Sequence, residues 1–316
     1  ATIDAFVDTD DKLFKATHHK FGKCVFVPFG SKIVVDDLKF LTGGGGTNTA
    51  VSFSRLGLKT AMIGKFGGES SNIIFDELKR ENVDTSLIVK ADSVGFSVVL
   101  DAKGCDRTIL THKGANDMLT LNEVELSKLD TKWFYMASMV GKSFETMLKI
   151  AEYAENKGIK IAFNPSSYIA KQGFKKLKGV LSYTDALILN KEEAGELLGK
   201  EYSIDTALQK LREITQDIVV ITDGANGSHC LADGKHYHIK HKPVKAIETT
   251  GAGDSFASAF VAGIIMGKPI DYCLKMGQAN AISVIMHPGA KNILLTMPQM
   301  EEAIKKMPVK ITIQKI

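Results

Sequence analysis

The 316 residues are enough for one large α/β domain or two ordinary ones, and no shift in composition divides them. Forty Lys and Arg against 36 Asp and Glu leave a scattered net charge of +4, too small to mark a nucleic-acid partner. Cys24, Cys105, Cys230 and Cys273 stand far apart without metal-ligand spacing and read as reduced thiols, and the longest apolar run, residues 256–267, is shorter than a membrane span. With no secretory signal at the start, a cytoplasmic location without membrane contact is expected.

Along the chain, Asp4 stands at a strand end. There an Asp is commonly a turn residue, but its carboxylate can also accept hydrogen bonds from two neighbouring hydroxyls. Residues 23–41 alternate as strands do. They lead into Gly43-Gly44-Gly45-Gly46-Thr47-Asn48, which precedes a helix predicted over 48–56. Four glycines let a backbone approach a ligand closely, or simply make a flexible loop. They are not a dinucleotide fingerprint, because Asn48 stands where the third Gly belongs, and no Walker A run exists. A strand at 60–63 and a helix at 70–81 follow. A second alternating stretch at 95–111 turns at Lys103-Gly104. The two alternating regions suggest a small projecting sheet, with lid segments at about 10–42 and 94–113 in a single domain over 1–316. Such a sheet can close over a pocket and exclude water.

Further on, strands at 133–137, 159–163, 186–189 and 218–221 alternate with helices at 143–157, 191–198 and 206–216. Repeated β-α units of this kind build a mainly parallel sheet. Gly57, Gly158 and Gly199 fall at helix C-cap positions. The Lys-rich end, from Lys305-Lys306 to Lys315, reads as a solvated tail.

Three stretches carry chemistry. Asn190-Lys191-Glu192-Glu193 follows a strand at its C-terminal end, where open α/β sheets place ligands. Asn190 and Glu193 suit Mg²⁺ held through water, or an ordinary capped helix start. Thr222-Asp223-Gly224-Ala225-Asn226-Gly227 ends the next strand with two glycines that fit a turn over a nucleotide, or a plain hairpin. Gly251-Ala252-Gly253-Asp254 opens a small-residue helix whose free amides sit at the positive end of the helix dipole, a cradle for an anion. Asp254 beside that cradle would be repelled by a phosphate unless it has a proton to collect. An anion hole with a base at its rim is the minimum equipment for moving a phosphoryl group onto a hydroxyl.

The run Glu248-Thr249-Thr250-Gly251-Ala252-Gly253-Asp254-Ser255-Phe256 resembles the second signature of the PfkB family, the ribokinase-like carbohydrate and nucleoside kinases, except that Glu248 replaces the usual Asp. Gly43-Gly44, Asn48-Thr49-Ala50 and Leu56-Gly57 are similar to the first signature. The resemblance implies a ribokinase-like three-layer α/β/α domain with a mainly parallel sheet and a small lid sheet, often also a dimer surface. It further implies an ATP-dependent kinase acting on an alcohol group of a sugar. Asp254 would be the base and Gly251, Ala252 and Gly253 the anion hole. Asp4, Gly43, Gly44 and Asn48 would hold the acceptor, while Arg107 would reach a phosphate or tie the lid to the body. Asn190, Thr222, Gly224, Gly227 and Asn280 would border ATP, with Mg²⁺ steadied by Asn190 and Glu193 through water. Potassium stays in question because of Glu248, and the Pro288-Gly289-Ala290 turn belongs to the same region.

Ribokinases proper carry Lys where this chain has Gly45, which counts against ribose. Family members also start with an apolar strand and a Gly ahead of Ala1, so the sequence is expected to be truncated there or to lack that strand. Two alternatives stay open. A nucleoside kinase is favoured if Phe26, Phe29 and Phe96 stack a base. A non-catalytic sugar or nucleotide sensor would have lost the base or the anion loop.

Overall fold

The computed structural model describes residues 1–8, 16–19, 22–25, 29–100, 108–241, 244, 246–287 and 289–315. The first part of the chain runs β1 (Thr2–Asp8), β2 (Ala16–His19), β3 (Gly22–Val25), β4 (Asp37–Gly43), α1 (Gly45–Arg55), β5 (Gly64–Gly67), α2 (Asn72–Arg80), β6 (Ile88–Ala91), β7 (Gly95–Leu100) and β8 (Thr108–His112). The middle runs β9 (Trp133–Met136), α3 (Gly141–Lys157), β10 (Lys160–Phe163), α4 (Ser167–Ala170), α5 (Gly173–Leu181), β11 (Ala186–Asn190), α6 (Lys191–Leu198), α7 (Ile204–Arg212) and β12 (Ile218–Thr222). Then come β13 (Ser228–Ala232), β14 (Lys235–His241), α8 (Ala252–Ile265), α9 (Ile270–Ile285), α10 (Met297–Lys306) and β15 (Val309–Lys315).

Seven strands form the main sheet in the order β15-β14-β13-β12-β11-β10-β9. Strands β9 to β12 pair in parallel, as the β-α rhythm requires. From β12 to β15 every pairing is antiparallel, so the sheet is mixed and not mainly parallel. The cause is local: β13 and β14 are joined by two residues only, Asp233 and Gly234, with φ of 51° and 67°. Two residues with positive φ make a tight hairpin, whereas a parallel neighbour needs a crossover of about a dozen. The lysine-bearing end is not a free tail, because Val309–Lys315 is the edge strand paired with β14.

Residues of one strand alternate between two cores. Leu187 and Leu189 of β11 join the core under α3, α5, α6 and α7, while Ala186 and Ile188 join the core under α1, α8, α9 and α10. Sheet faces covered by helices on both sides give the expected α/β/α layering. Helices α8 and α9 approach closely through glycine: a Cβ on Gly263 would lie 2.8 Å from Cys273 Sγ, and one on Gly277 2.9 Å from the Phe256 ring. The small residues that follow Asp254 therefore set the depth at which α8 seats.

The small sheet has the order β4-β1-β7-β8. It takes in the first strand, Thr2–Asp8, so it begins earlier than the expected lid boundary near residue 10. Leu38, Phe40, Ile109 and Leu110 of its outer strands are exposed. The strand expected at 60–63 reduces to one bridge, Ala61 to Asp84, and the ladder starts at Gly64. The helix expected at 206–216 starts earlier, at Ile204, because Ser203 caps it, and it ends at Arg212. Gly158 and Gly199 close their helices in the left-handed conformation, as predicted. Arg107, Cys105, the Lys103-Gly104 turn, Phe26 and Pro288 lie outside the described residues. Among those described, no helix is long and apolar enough to cross a membrane.

Candidate active site

The site forms where the first turns of α1 and α8 face each other beneath the small sheet. Strand β4 ends at Gly43, and the chain swings into α1 through Gly44, whose φ of 94° suits glycine. Thr47 locks this corner, its hydroxyl lying 2.7 Å from Gly43 O and 2.9 Å from Gly44 O. A Cβ on Gly43 would overlap the Asp4 carboxylate, and one on Gly45 would lie 3.2 Å from Asp254 Oδ1. The turn is glycine where two carboxylates lie against its backbone.

Helix α8 opens at Gly251, with φ of 78° and no side-chain cap. A Cβ at Gly251 would meet Ala290 O at 2.5 Å, so the turn admits little else. The Ala252 N–H donates to Thr249 O at 3.3 Å, while those of Gly253 and Asp254 are first-turn donors with no acceptor earlier in the helix. A Cβ at Gly253 would meet nothing within 4 Å, so open space stands over this loop.

Asp254 Oδ2 accepts from Asn48 Nδ2 at 2.8 Å, and Asn48 Oδ1 is buried without a partner among the described residues. Burial pushes the Asp254 carboxyl above its ordinary value, while the Asn48 hydrogen bond and the Lys291 charge pull it back. Beneath this pair the Ser258 hydroxyl lies 2.7 Å from both Ser52 Oγ and Asp254 O. Asn280 donates to Ser52 Oγ and to Ser255 O and accepts from Leu295 N–H. Fully buried, it ties α9 to α1 and α8 within the core and presents no group at the site surface.

Asn190 and Thr222 are register partners at the C-terminal ends of β11 and β12. Asn190 caps α6: its side chain accepts from Glu193 N–H at 2.8 Å, and its own N–H donates to Glu193 Oε2 at 3.0 Å. Ser167 Oγ lies 3.3 Å from Glu193 Oε1. Burial raises the Glu193 carboxyl, opposed by its hydrogen bonds from Asn190 and Ser167. Two carboxylate oxygens offer about four lone pairs, so these contacts leave room for metal-bound water. Gly224 (φ 52°) opens the short helical turn after β12. Gly227 is required by packing, since a Cβ there would run into Ile239 O of β14.

Of the residues singled out in the sequence, Asp4, Gly43, Asn48 and Asp254 converge at one point, with Gly44 at the corner beside them and Gly251 to Gly253 forming the loop that carries Asp254. Sequence reasoning missed two groups at this point. Lys291 is 3% exposed and pairs with Glu77 at 2.7 Å, and the hydroxyl of Tyr135 on β9 is buried without a partner among the described residues, within the field of Asp254 and Glu193. A lysine after a Gly-Ala turn and a tyrosine in an apolar strand carry no signal of their own.

The profile of the pfkB family carbohydrate kinase matches residues 16–297. Among curated relatives, the ribokinase of Haemophilus influenzae is 29% identical over 88% of this chain and 92% of its own. The 5-dehydro-2-deoxygluconokinase of Bacillus licheniformis is 28% identical over 83% and 86%. Among solved structures, the ribokinase of Thermotoga maritima superposes with a TM-score of 0.82 at 21% identity, covering 96% of this chain and 97% of that one. The nucleoside kinase of Methanocaldococcus jannaschii gives 0.78 at 22%, over 96% and 95%. With the signature loops in place and the match spanning most of its length, the chain belongs to the pfkB family of ATP-dependent, ribokinase-like carbohydrate kinases.

Proposed function

We propose that the protein transfers the terminal phosphoryl group of ATP to an alcohol group of a sugar, with Asp254 as the base. The observation that carries this reading is the meeting of Asp254, Asn48 and the glycine turn: Asn48 Nδ2 lies 2.8 Å from Asp254 Oδ2, with the backbone of Gly45 against the other oxygen. Asp4, Gly43, Gly44 and Asn48 orient the acceptor. Asp254 takes the hydroxyl proton as the acceptor oxygen bonds to phosphorus and the bond to the ADP oxygen breaks. The amides of Gly253 and Asp254, with Gly251 and Ala252 shaping the loop, stabilise the charge on the transferred group. Thr222, Gly224 and Gly227 form the nucleotide side, with Asn280 holding the helices behind it.

Asn190 and Glu193 fit Mg²⁺ held through water, and that ion would neutralise charge on the ATP phosphates. Glu248 accepts from Gly289 N–H at 2.9 Å, while its Oε1 and Thr250 Oγ1 are buried without partners among the described residues. These oxygens fit a bound K⁺, read out as rate against K⁺ with Na⁺ as control. The exposed apolar side chains of β4 and β8 fit pairing of two lids into a homodimer, read out as mass in solution.

A nucleoside acceptor is the second reading. Phe96 packs against Phe40 at a ring separation of 6.4 Å on the small sheet, whereas Phe29 is fully exposed. The test is ADP release at saturating Mg·ATP across pentoses, hexoses, sugar acids and nucleosides. A sugar-dependent rate supports the first reading and a nucleoside-dependent rate the second. Binding without ADP release from any acceptor overturns both and leaves a sensor.

A further inference from the structure

Lys291 lies in the loop after α9 and is buried at the centre of the site, yet belongs to neither signature. Its ammonium lies 2.7 Å from Glu77 Oε2 of α2 and 3.3 Å from Thr47 Oγ1 of α1. Glu77 Oε2 also accepts from Thr42 Oγ1 of β4 at 2.6 Å, so one charge pair joins the strand before the glycine turn to the helix after it. The loop is held from behind by Arg55, whose guanidinium bonds the carbonyls of Lys291, Asn292 and Leu294 and grips Glu81 at 2.7 and 2.8 Å. A buried ammonium is costly unless it is paired, and Glu77 supplies one partner. Burial holds the Lys291 ammonium below its ordinary value, while the charge and hydrogen bond of Glu77 and the charges of Asp4 on β1 and Asp254 on α8 pull it back up. Three carboxylates thus act on one cation.

We propose that Lys291 is a positioning residue and the internal counter-charge of the reaction centre: fixed by Glu77 and Thr47, it holds the glycine turn in place and offsets the two carboxylates that flank the acceptor. The proposal rests on the reading of Asp254 as base, which must be ionised to take a proton. The other groups facing this charge leave its role intact. Glu81 is engaged by Arg55. Tyr135, within the field of Asp254, is raised by burial and stays protonated. Lys291 is thus the cation that Asp254 faces among the described residues.

The test follows the Asp254 carboxyl itself, by ¹³C NMR of Asp-labelled protein, with Asp254→Asn to assign the signal. In Lys291→Met the Asp254 midpoint moves to higher pH, and in Lys291→Arg it returns toward the wild-type position. On the acid limb kcat/KM falls about tenfold for each pH unit of that move and recovers at high pH. A folded Lys291→Met with an unmoved midpoint overturns the proposal, even if Asp254→Asn is inactive and the base assignment stands. If Lys291→Met does not fold, Asp254→Asn reads the same coupling from the other side, because linkage is reciprocal. The ¹⁵N signal of the Lys291 ammonium must then lose its proton at lower pH than in wild type, and an unchanged titration overturns the proposal equally.

Discussion

Two helices of this molecule, α6 and α8, both begin at the C-terminal edge of the main sheet, and both carry a carboxylate at the third helical position. In α6, Asn190 and Glu193 satisfy each other's backbone groups in a complete capping box, and the helix start is closed. In α8 the cap is Gly251, which has no side chain to offer, so the amides of Gly253 and Asp254 stay available and Asp254 is free to meet Asn48. A closed cap stabilises a helix. An open one leaves donors and a carboxylate for a ligand, which is what the proposed phosphoryl transfer requires.

The sharpest way to break this contrast is to close the open cap. Gly251→Ala puts a methyl group against Ala290 O in a backbone with φ of 78°. It should destabilise the fold by about 1–3 kcal/mol in denaturant unfolding. By displacing the amides it should also lower kcat by roughly 10²-fold, the scale of one lost anion-hole donor. Next, Gly43→Ala places a methyl group on the Asp4 carboxylate and should raise the acceptor KM by roughly tenfold with ATP KM unchanged. At the closed cap, Asn190→Ala should cost about 1 kcal/mol of stability, as cap removal commonly does. Because Asn190 also belongs to the proposed Mg²⁺ site, the comparison is made at saturating Mg²⁺: if kcat of Asn190→Ala still falls there as far as that of Gly251→Ala, the distinction between the two helix starts is lost.

The smallest effect expected is one of pH. Burial raises both Asp254 and Glu193, so the folded state binds protons more tightly than the unfolded chain between the ordinary and the raised values. Each group therefore costs stability as pH rises through that window, and neutral pH is on the costly side. Asp254→Asn should be more stable than wild type at neutral pH and lose that advantage as pH falls below the ordinary carboxylate range. Activity has the opposite sign: kcat/KM should fall as pH drops through the raised Asp254 value.

Much of this was legible in residues that act locally. The Val-Ile-Leu runs of β11 and β12, the glycines that end α3 and α6, and the Gly-Ala-Gly-Asp opening of α8 depend on near neighbours, and each element lies where its pattern puts it. The Asp233-Gly234 hairpin was equally readable, but the β-α rhythm before it masked the change to antiparallel pairing. Other features were not readable in principle. The edge strand β15 alternates between partly and fully exposed residues at its start, and its lysines read as solvated until β14 is there to pair with it. Lys291 looks like any surface lysine until Glu77, Thr47 and Asp254 close around it, and Asn280 shows its core role only through partners on three other segments.

The central claim is that one carboxylate, left unspent by a glycine-capped helix, takes the acceptor proton. The most direct measurement is turnover of Asp254→Asn with the best acceptor from the panel, alongside its ATP affinity. Loss of roughly 10²- to 10⁴-fold in kcat with ATP binding within about twofold of wild type is the expected result. Turnover close to wild type in a folded Asp254→Asn enzyme would contradict it.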